Sequence, residues 1–367
     1  MAREKFSNRE LEAVGTYPAV PSSAFPMPPE PRYDRPISPK ENLKLFFGGK
    51  TPYWIPKVGF GGGDLKGFRP RLHPDNVVTH IITDGEPPMQ FPENIMRSSW
   101  FELDWEFVPS ANGATVHPGN PKVPDISRWE DYVSIPDLDS LDWDSCARNN
   151  ADFMDTDKAV ELGILTGFWE RLVALCDVDK AAMALIDEDD KEGVHRLFDK
   201  IADMHIGYIT RMKEICDIDG VLIHDDWGHQ NAPFFSLETA QEMLVPYLKR
   251  VVGHCHSLGL FYEQHSCGKC EILVPAYVEA GVDVWCGQPM NDFDRLSEEY
   301  ISEHIAFGMP GPVIAEGTPD EQIREIAKDW VEKYKDRRVV LTQFGLSPIF
   351  TDAVYEYSRK AYEEAEA

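Results

Sequence analysis

The chain has 367 residues, of which 43% are hydrophobic and 27% are charged, so it is long enough to bury a sizeable core. Its net charge of −27 disfavours binding to nucleic acid or to an anionic membrane surface. Seven cysteines, an odd number in a long chain, argue against a disulfide framework. With no signal peptide and no apolar run of membrane-spanning length, the sequence predicts a cytoplasmic protein with reduced thiols.

The first forty residues are rich in proline, which fixes φ and removes backbone donors. We therefore expect residues 1–40 to form an extended N-terminal arm, followed by a single domain at residues 41–367. The arm would wrap around that domain or around a second subunit, or it would be a loosely held tail.

The next hundred residues predict a short helix, three strands and an acidic loop. In chain order we expect a helix Glu41 to Phe47, strands Tyr53 to Val58, Val77 to Thr83 and Trp100 to Val108, and a turn at Asn112-Gly113. The glycine run Gly61 to Gly63 lacks the spacing of a phosphate-binding loop. The acidic stretch 121–156 lacks the glycine and terminal glutamate of a calcium-binding hand, so a solvated loop is the better prediction.

From residue 159 the chain alternates strands with amphipathic helices. The predicted strands are Ala159 to Thr166, Val221 to Ile223, Leu260 to Glu263, Val282 to Trp285, Val313 to Ala315 and Val339 to Thr342. The longer helices are Asp190 to Cys216, Ser236 to Leu258, Leu296 to His304 and Asp320 to Lys335. With the two earlier strands near residues 54 and 80, this makes eight and predicts an α/β fold, a (β/α)8 TIM barrel with a Pro-rich arm. Active sites of such barrels lie where the strands end.

The best-placed chemical feature is His265 with Cys267, two residues apart at the end of a predicted strand. This spacing puts both side chains on one side of the backbone, where imidazole and thiolate can bind one zinc ion. Spacing alone leaves the third ligand open. The candidates are Cys286, Glu316, Glu263 and Cys270. The alternative is a hydrogen-bonded histidine beside a buried thiol.

The segment His224-Asp225-Asp226 follows another strand. Because adjacent strand residues face opposite sides, only one of the two carboxylates is expected to point into the pocket. That carboxylate is a candidate general acid or base, metal ligand or substrate anchor, and the alternative is a helix cap. Further candidates for binding substrate are Phe168, Trp227, Gln288 and Phe344.

Several of these segments together resemble the uroporphyrinogen decarboxylase superfamily. They are Gly220-Val-Leu-Ile-His-Asp-Asp-Trp-Gly228, Pro246-Tyr-Leu-Lys249, Glu263-Gln-His-Ser-Cys-Gly268 and Gly281-Val-Asp-Val284. The resemblance extends from about Ser38 onward and implies a (β/α)8 barrel. It also implies one of two activities, either the decarboxylase of haem biosynthesis or a corrinoid-dependent methyltransferase.

Methyltransferases of this superfamily commonly bind zinc through His-x-Cys and a distant cysteine near the last strand. His265 and Cys267 match the first two ligands, whereas the segment Leu341-Thr-Gln-Phe-Gly345 has no thiol. The decarboxylase branch holds a polyanionic substrate partly through an arginine-rich segment after the first strand. Here only Lys57 precedes Arg69 and Arg71.

The resemblance therefore favours a zinc-assisted methyltransferase of the O-demethylase type. It would move a methyl group from a small methylated compound, such as a methoxyaromatic, to cobalamin carried by a corrinoid protein, with Asp226, Asp225 and His224 as catalytic candidates. The direction of transfer stays open, because a thiol could equally be the methyl acceptor. The alternatives are a decarboxylase and a non-catalytic barrel that binds a ligand or a corrinoid partner. The resemblance also allows a homodimer.

Overall fold

The computed structural model describes residues 3–18, 29–58, 63–68, 95–97, 100–108, 113–164, 166–342 and 346–364. The strands are β1 (Ala13–Tyr17), β2 (Glu30–Tyr33), β3 (Lys57–Val58), β4 (Leu65–Phe68), β5 (Ile95–Arg97), β6 (Asp104–Val108), β7 (Gly113–Val116), β8 (Ala159–Ile164), β9 (Gly220–His224), β10 (Phe261–Ser266), β11 (Val284–Gly287), β12 (Ala306–Pro310) and β13 (Val339–Thr342). The α-helices are α1 (Pro39–Phe47), α2 (Trp143–Asn150), α3 (Phe168–Cys176), α4 (Val178–Ala184), α5 (Lys191–Cys216), α6 (Leu237–Met243), α7 (Val245–Ser257), α8 (Val274–Ala280), α9 (Phe293–Glu299), α10 (Asp320–Tyr334) and α11 (Pro348–Ala361). Short 3₁₀ helices lie at Asn8–Leu11, Ile126–Asp131, Leu138–Ser140, Ala151–Met154 and Glu271–Leu273.

Eight parallel strands form one sheet in the order β3-β13-β12-β11-β10-β9-β8-β4. The sheet is a nearly closed barrel flanked by helices, with β3 and β4 at the two ends of the order. The predicted α/β TIM-barrel fold is therefore confirmed. Because all eight strands run in one direction, their carboxyl ends share one face of the barrel.

The interior of the barrel is apolar at its amino-terminal end, where α1 closes it. Leu43 and Phe46 of α1 pack in one buried cluster with Ala159 and Phe261, the first residues of β8 and β10. The ring of Phe47 stacks on Phe261 with the centroids 4.4 Å apart. Because α1 covers this end, the polar side chains at the carboxyl ends of the strands lie on the opposite face of the barrel.

Helix α5 in the layer outside the sheet was predicted correctly from the spacing of its apolar residues. Its apolar residues recur every three or four positions, and Val194, Leu197, Ile201 and Met212 are all fully buried. The stripe packs into the large cluster between the sheet and the helices.

No helix in the described part of the chain is long and apolar enough to cross a membrane.

The described part of the arm packs on the barrel. Strands β1 and β2 form an antiparallel pair, and Arg3 donates hydrogen bonds to the backbone oxygens of Pro52 at 2.7 Å and Tyr362 at 3.2 Å. The hydroxyl of Tyr355 in α11 donates to buried Glu10 at 2.6 Å. The described residues of this segment therefore contact residues 52, 355 and 362.

Several element predictions were wrong, among them the solvated loop expected at 121–156, which contains α2 and the buried residues Val123, Ile126 and Trp129. The strand expected at Val313 to Ala315 lies earlier, at β12, because Ala306–Pro310 supplies the buried apolar segment whereas Val313 is fully exposed. The helix expected from Ser236 to Leu258 is divided into α6 and α7, with Pro246 in the first turn of α7, where its missing N–H costs nothing. The strand predicted at 77–83 lies outside the described residues.

Candidate metal centre

Four side chains of metal-ligand type converge at the carboxyl ends of β9 and β10. His224 ends β9 and Asp226 follows it, while His265 lies near the end of β10 and Cys267 comes just after it. The register pairs His224 with His265, so the two rings stack with centroids 5.0 Å apart. One ligand atom from each of the four residues lies within 4.8 Å of the other three. We call these four residues the ligand group.

Two separations inside the ligand group already match those around a bound ion. Nε2 of His265 lies 3.6 Å from Sγ of Cys267, and Nε2 of His224 lies 3.4 Å from Oδ1 of Asp226. Zinc bonds of about 2.0–2.3 Å place tetrahedral ligand atoms roughly 3.5 Å apart. Two imidazoles, one thiol and one carboxylate are also the donor types that zinc accepts. The ligand group therefore fits a zinc ion in both chemistry and spacing.

The backbone around Cys267 is held in place by polar side chains from neighbouring strands. The Cys267 N–H donates to Oδ1 of Asp226 at 2.6 Å, and the Gly268 N–H donates to Oε1 of Gln288 at 2.8 Å. Gly268 has φ +85°, and a Cβ there would lie 2.4 Å from the carbonyl carbon of Gly228, so only glycine fits this turn. Gln288, predicted to bind substrate, thus supports the loop that carries Cys267.

The sequence prediction missed Glu170, which lies directly behind His224. Oε2 of Glu170 is 2.9 Å from Nδ1 of His224. Burial raises the pKa of Glu170 to about 8. Burial alone would lower the pKa of His224, but Glu170 and Asp226 raise it well above its ordinary value. The ring of His224 and the carboxyl of Glu170 thus form one buried pair in which the acid favours the protonated ring. The one sequence signal was an acidic residue in the first turn of a helix after a strand, which usually indicates only a favourable helix dipole.

Asp225 does not face the pocket, which corrects its assignment as a catalytic candidate. Its Oδ2 accepts hydrogen bonds from the backbone N–H of Phe168 at 3.0 Å and of Trp169 at 3.1 Å, and from Trp227 Nε1 at 2.8 Å. Its Oδ1 accepts from the Glu170 N–H at 2.8 Å. Burial raises the pKa of Asp225 to about 6, while these four donors favour the anion. Asp225 therefore caps α3, and its neighbour Asp226 takes the pocket side, as the alternation predicts.

The aromatic residues expected to line the pocket pack elsewhere. Phe168 is buried against Phe198, His205 and Tyr247 of the helical layer. Trp227 is buried, with its ring 4.8 Å from that of Tyr277. Both were placed at strand ends correctly, but their side chains turn towards the helices and fill the core. Phe344 lies outside the described residues.

Two of the predicted metal ligands stand outside the ligand group. Cys286 pairs in register with His265, but burial raises the pKa of its thiol well above the ordinary value, and neighbouring Glu263, to which the thiol is hydrogen bonded, raises it further. Its Sγ is not among the four ligand atoms that lie within 4.8 Å of one another. Glu316 is exposed in the segment after β12, because the strand that was to position it lies earlier in the chain.

Cys270, another predicted ligand candidate, is also bonded elsewhere. Its buried thiol donates to the carbonyl oxygen of Cys267 at 3.2 Å and lies 3.3 Å from the hydroxyl of Ser266. Burial raises the pKa of Cys270 to about 12. The thiol thus supports the turn after β10.

The fold and the ligand group together define a TIM barrel with a candidate metal centre at the carboxyl ends of its strands. The family model of uroporphyrinogen decarboxylase (URO-D) matches residues 152–347, which is more than half of the chain. The chain therefore belongs to the uroporphyrinogen decarboxylase family, which confirms the resemblance seen in its sequence motifs. The matched region contains all four residues of the ligand group.

Two solved structures align with this chain at low sequence identity. A methyltransferase from Methanosarcina mazei aligns with a TM-score of 0.58 and 14% identity, covering 89% of this chain and 99% of that one. A B12-independent methionine synthase from Shewanella sp. W3-18-1 aligns with a TM-score of 0.40 and 12% identity, covering 77% of this chain and 80% of that one. At such identities the first alignment supports the fold alone, and the second carries no further weight. A search of curated proteins found no match.

Proposed function

We propose that this protein is a zinc-dependent methyltransferase that moves a methyl group from a small methylated compound to a corrinoid protein. The observation that carries the proposal is the ligand group, in which His224, Asp226, His265 and Cys267 bring their ligand atoms within 4.8 Å of one another. A zinc site of this kind agrees with the methyltransferase branch of the family. The fold neighbour from Methanosarcina mazei is itself described as a methyltransferase.

His265 and Cys267 would hold the ion, with Asp226 or His224 as the ligand that the sequence alone left unidentified. A bound zinc ion supplies a Lewis acid that polarises an ether oxygen or stabilises a thiolate. In the demethylating direction the C–O bond of an ether would break, with the methyl group transferred to cob(I)alamin and the phenolate or alkoxide as the leaving group. A catalytic site needs only three protein ligands, so one member of the ligand group is free to contact the substrate.

The positions of two aromatic side chains bear on the class of methylated substrate. Methoxyaromatic compounds were expected from the family resemblance, but Phe168 and Trp227, two aromatic residues predicted to bind substrate, belong to the core. A substrate panel should therefore contain methyl ethers and methyl thioethers, both aromatic and aliphatic.

The second candidate is a decarboxylase, because the matching family model is named for uroporphyrinogen decarboxylase. The electrostatics of the site oppose this activity. The ligand group contains the carboxylate of Asp226, in a chain of net charge −27. Such a site repels a substrate with several carboxylates unless cations converge on it.

The test begins with metal analysis of the full-length protein and of Cys267→Ala. We expect about one zinc per chain in the wild type and almost none in the variant. Methyl transfer from the panel to free cob(I)alamin is then followed by the appearance of methylcobalamin. Absence of zinc together with absence of cobalamin methylation across the panel would overturn the proposal. Porphyrinogen turnover without metal would establish the decarboxylase instead, and ligand binding without any turnover would indicate a non-catalytic barrel.

A further inference from the structure

The two histidines of the ligand group are backed by different partners. Burial lowers the pKa of His265 to about 4, and the backbone of Cys286 acts against that shift. Behind His224, Nδ1 lies 2.9 Å from the carboxylate of Glu170. The opposite ring nitrogen of His224, Nε2, lies 3.4 Å from Asp226. The ring is thus held from one side by a carboxylate and presents its other nitrogen to the ligand group.

A hydrogen bond at one ring nitrogen fixes both the tautomer and the orientation of a histidine. We propose that Glu170 is a positioning residue that holds the His224 ring with Nδ1–H towards its own carboxylate and Nε2 towards the ligand group. The inference rests on the proposed metal site and deepens it, because it adds a supporting residue outside the ligands. Glu170 acts through His224, since it is not a member of the ligand group.

The position of Glu170 is itself fixed by the loop that carries His224. The Glu170 N–H donates to Asp225, the residue after His224, at 2.8 Å. The Gly167 N–H donates to the backbone oxygen of His224 at 2.8 Å. A Cβ on Gly167 would lie 2.4 Å from Cβ of Asp225, so only glycine allows α3 to approach this closely. Two backbone anchors therefore set the distance between the carboxylate and the ring.

This arrangement explains why an acidic residue stands at position 170. A neutral side chain could accept one hydrogen bond from Nδ1–H, but a carboxylate also makes the ring a more basic ligand. Loss of such an outer partner typically lowers metal affinity by about 10–100-fold. Glutamine keeps an acceptor oxygen at the same place and should retain part of the effect, whereas alanine removes it.

The experiment compares Glu170→Ala and Glu170→Gln with the control Glu192→Gln, which alters an exposed acid in the first turn of α5. Zinc affinity is measured by competition with a chromophoric chelator. The His224 tautomer is measured separately in the metal-free protein by ¹⁵N NMR, at a pH where the ring is neutral. Thermal unfolding of the metal-free variants reports any loss of structure.

We expect the wild-type ring to carry its proton on Nδ1. In Glu170→Ala this preference is lost and zinc affinity falls about 10–100-fold, while Glu170→Gln keeps the tautomer with a smaller loss and the control is unchanged. An unchanged tautomer and unchanged affinity in Glu170→Ala would overturn the inference. If the wild type has the expected tautomer but binds no zinc, the proposed function fails while the positioning of His224 stands. If the wild type binds zinc but the ring is protonated on Nε2, the inference about Glu170 fails while the proposed function stands.

Discussion

Histidine and aspartate side chains lie at both ends of the barrel, but they are arranged differently at each end. At the amino-terminal end, Asp283 accepts hydrogen bonds from His256 at 2.8 Å, from His304 at 2.5 Å and from the Tyr262 N–H at 2.7 Å. At the carboxyl end, two histidines, an aspartate and a cysteine bring their ligand atoms together within 4.8 Å. At the amino-terminal end the three hydrogen bonds all go to the carboxylate of Asp283, whereas at the carboxyl end four ligand atoms lie close to one another.

Other acids at strand ends follow the same division. Asp219, just before β9, accepts from the Val160 N–H at 3.0 Å and pairs with Lys40 at 2.9 Å. An acid that precedes a strand thus ties neighbouring strands and α1 together. An acid that follows a strand, such as Asp226, stands on the face where barrel enzymes carry their chemistry. Acids that precede a strand thus stabilise the amino-terminal end, whereas of the two acids after β9 Asp225 caps α3 and Asp226 joins the ligand group.

The largest expected contrast is between histidines from the two ends. We expect His265→Ala to lose nearly all of its zinc and its methyl transfer, because it removes a ligand atom from the group. The matched variant His256→Ala should keep both, since His256 contacts Asp283 at the other end. Zinc per chain and methylcobalamin formation are the measurements. Equal zinc loss in the two variants would show that the ends are not distinct in function.

A second contrast separates two adjacent acids. Asp225→Ala leaves four donors without their acceptor, three of them in the first turn of α3. We expect the free energy of unfolding to fall by at least about 2 kcal/mol, since each buried unpaired donor costs about 1–3 kcal/mol. Asp226→Ala should change stability by less than about 1 kcal/mol and instead weaken zinc binding. Urea unfolding and chelator competition measure the two effects, and a swapped pattern would contradict the assignment.

The same logic applies at the amino-terminal end. Asp283→Ala removes the acceptor for the Tyr262 N–H and for two histidines. We expect a loss of about 1–3 kcal/mol in the free energy of unfolding, with zinc stoichiometry unchanged. Urea unfolding of the metal-free protein gives the stability. A zinc loss without a stability loss would indicate that Asp283 acts on the metal centre.

The smallest expected effect is a pH dependence of stability at that end. The hydrogen bond to Asp283 raises the pKa of His256 above its ordinary value of 6.5, although burial opposes the shift. Burial raises the pKa of Asp283, but the hydrogen bonds from the two histidines outweigh burial and hold the pKa below its ordinary value of 3.8. The histidine contribution is therefore complete below about pH 6.5 and is lost as the pH rises through the raised pKa. The aspartate contribution is complete above about pH 4 and is lost at lower pH.

Urea unfolding at pH 5.5 and pH 8.5 tests this dependence, with His256→Gln as the comparison. The difference in stability between wild type and variant should be larger at pH 5.5. An equal difference at both pH values would show that the charge on His256 does not contribute.

Much of this protein follows from its sequence because the information is local. The buried stripe of α5 and the apolar strands β8 to β11 repeat with periods that depend only on backbone geometry. The two-residue spacing of His265 and Cys267 likewise predicts a shared side of the strand, and their atoms lie 3.6 Å apart. Family membership came from the same segments.

The remaining features depend on distances between segments that are far apart in the chain. Whether His224 and Asp226 join His265 was decided by the register of β9 on β10, which no local pattern contains. Glu170 faces His224 because Asp225 caps α3 from another strand, 55 positions along the chain. The sequence determined the barrel and half of the ligand group; strand register and helix docking decided the other half, because packing between elements sets which way each side chain points.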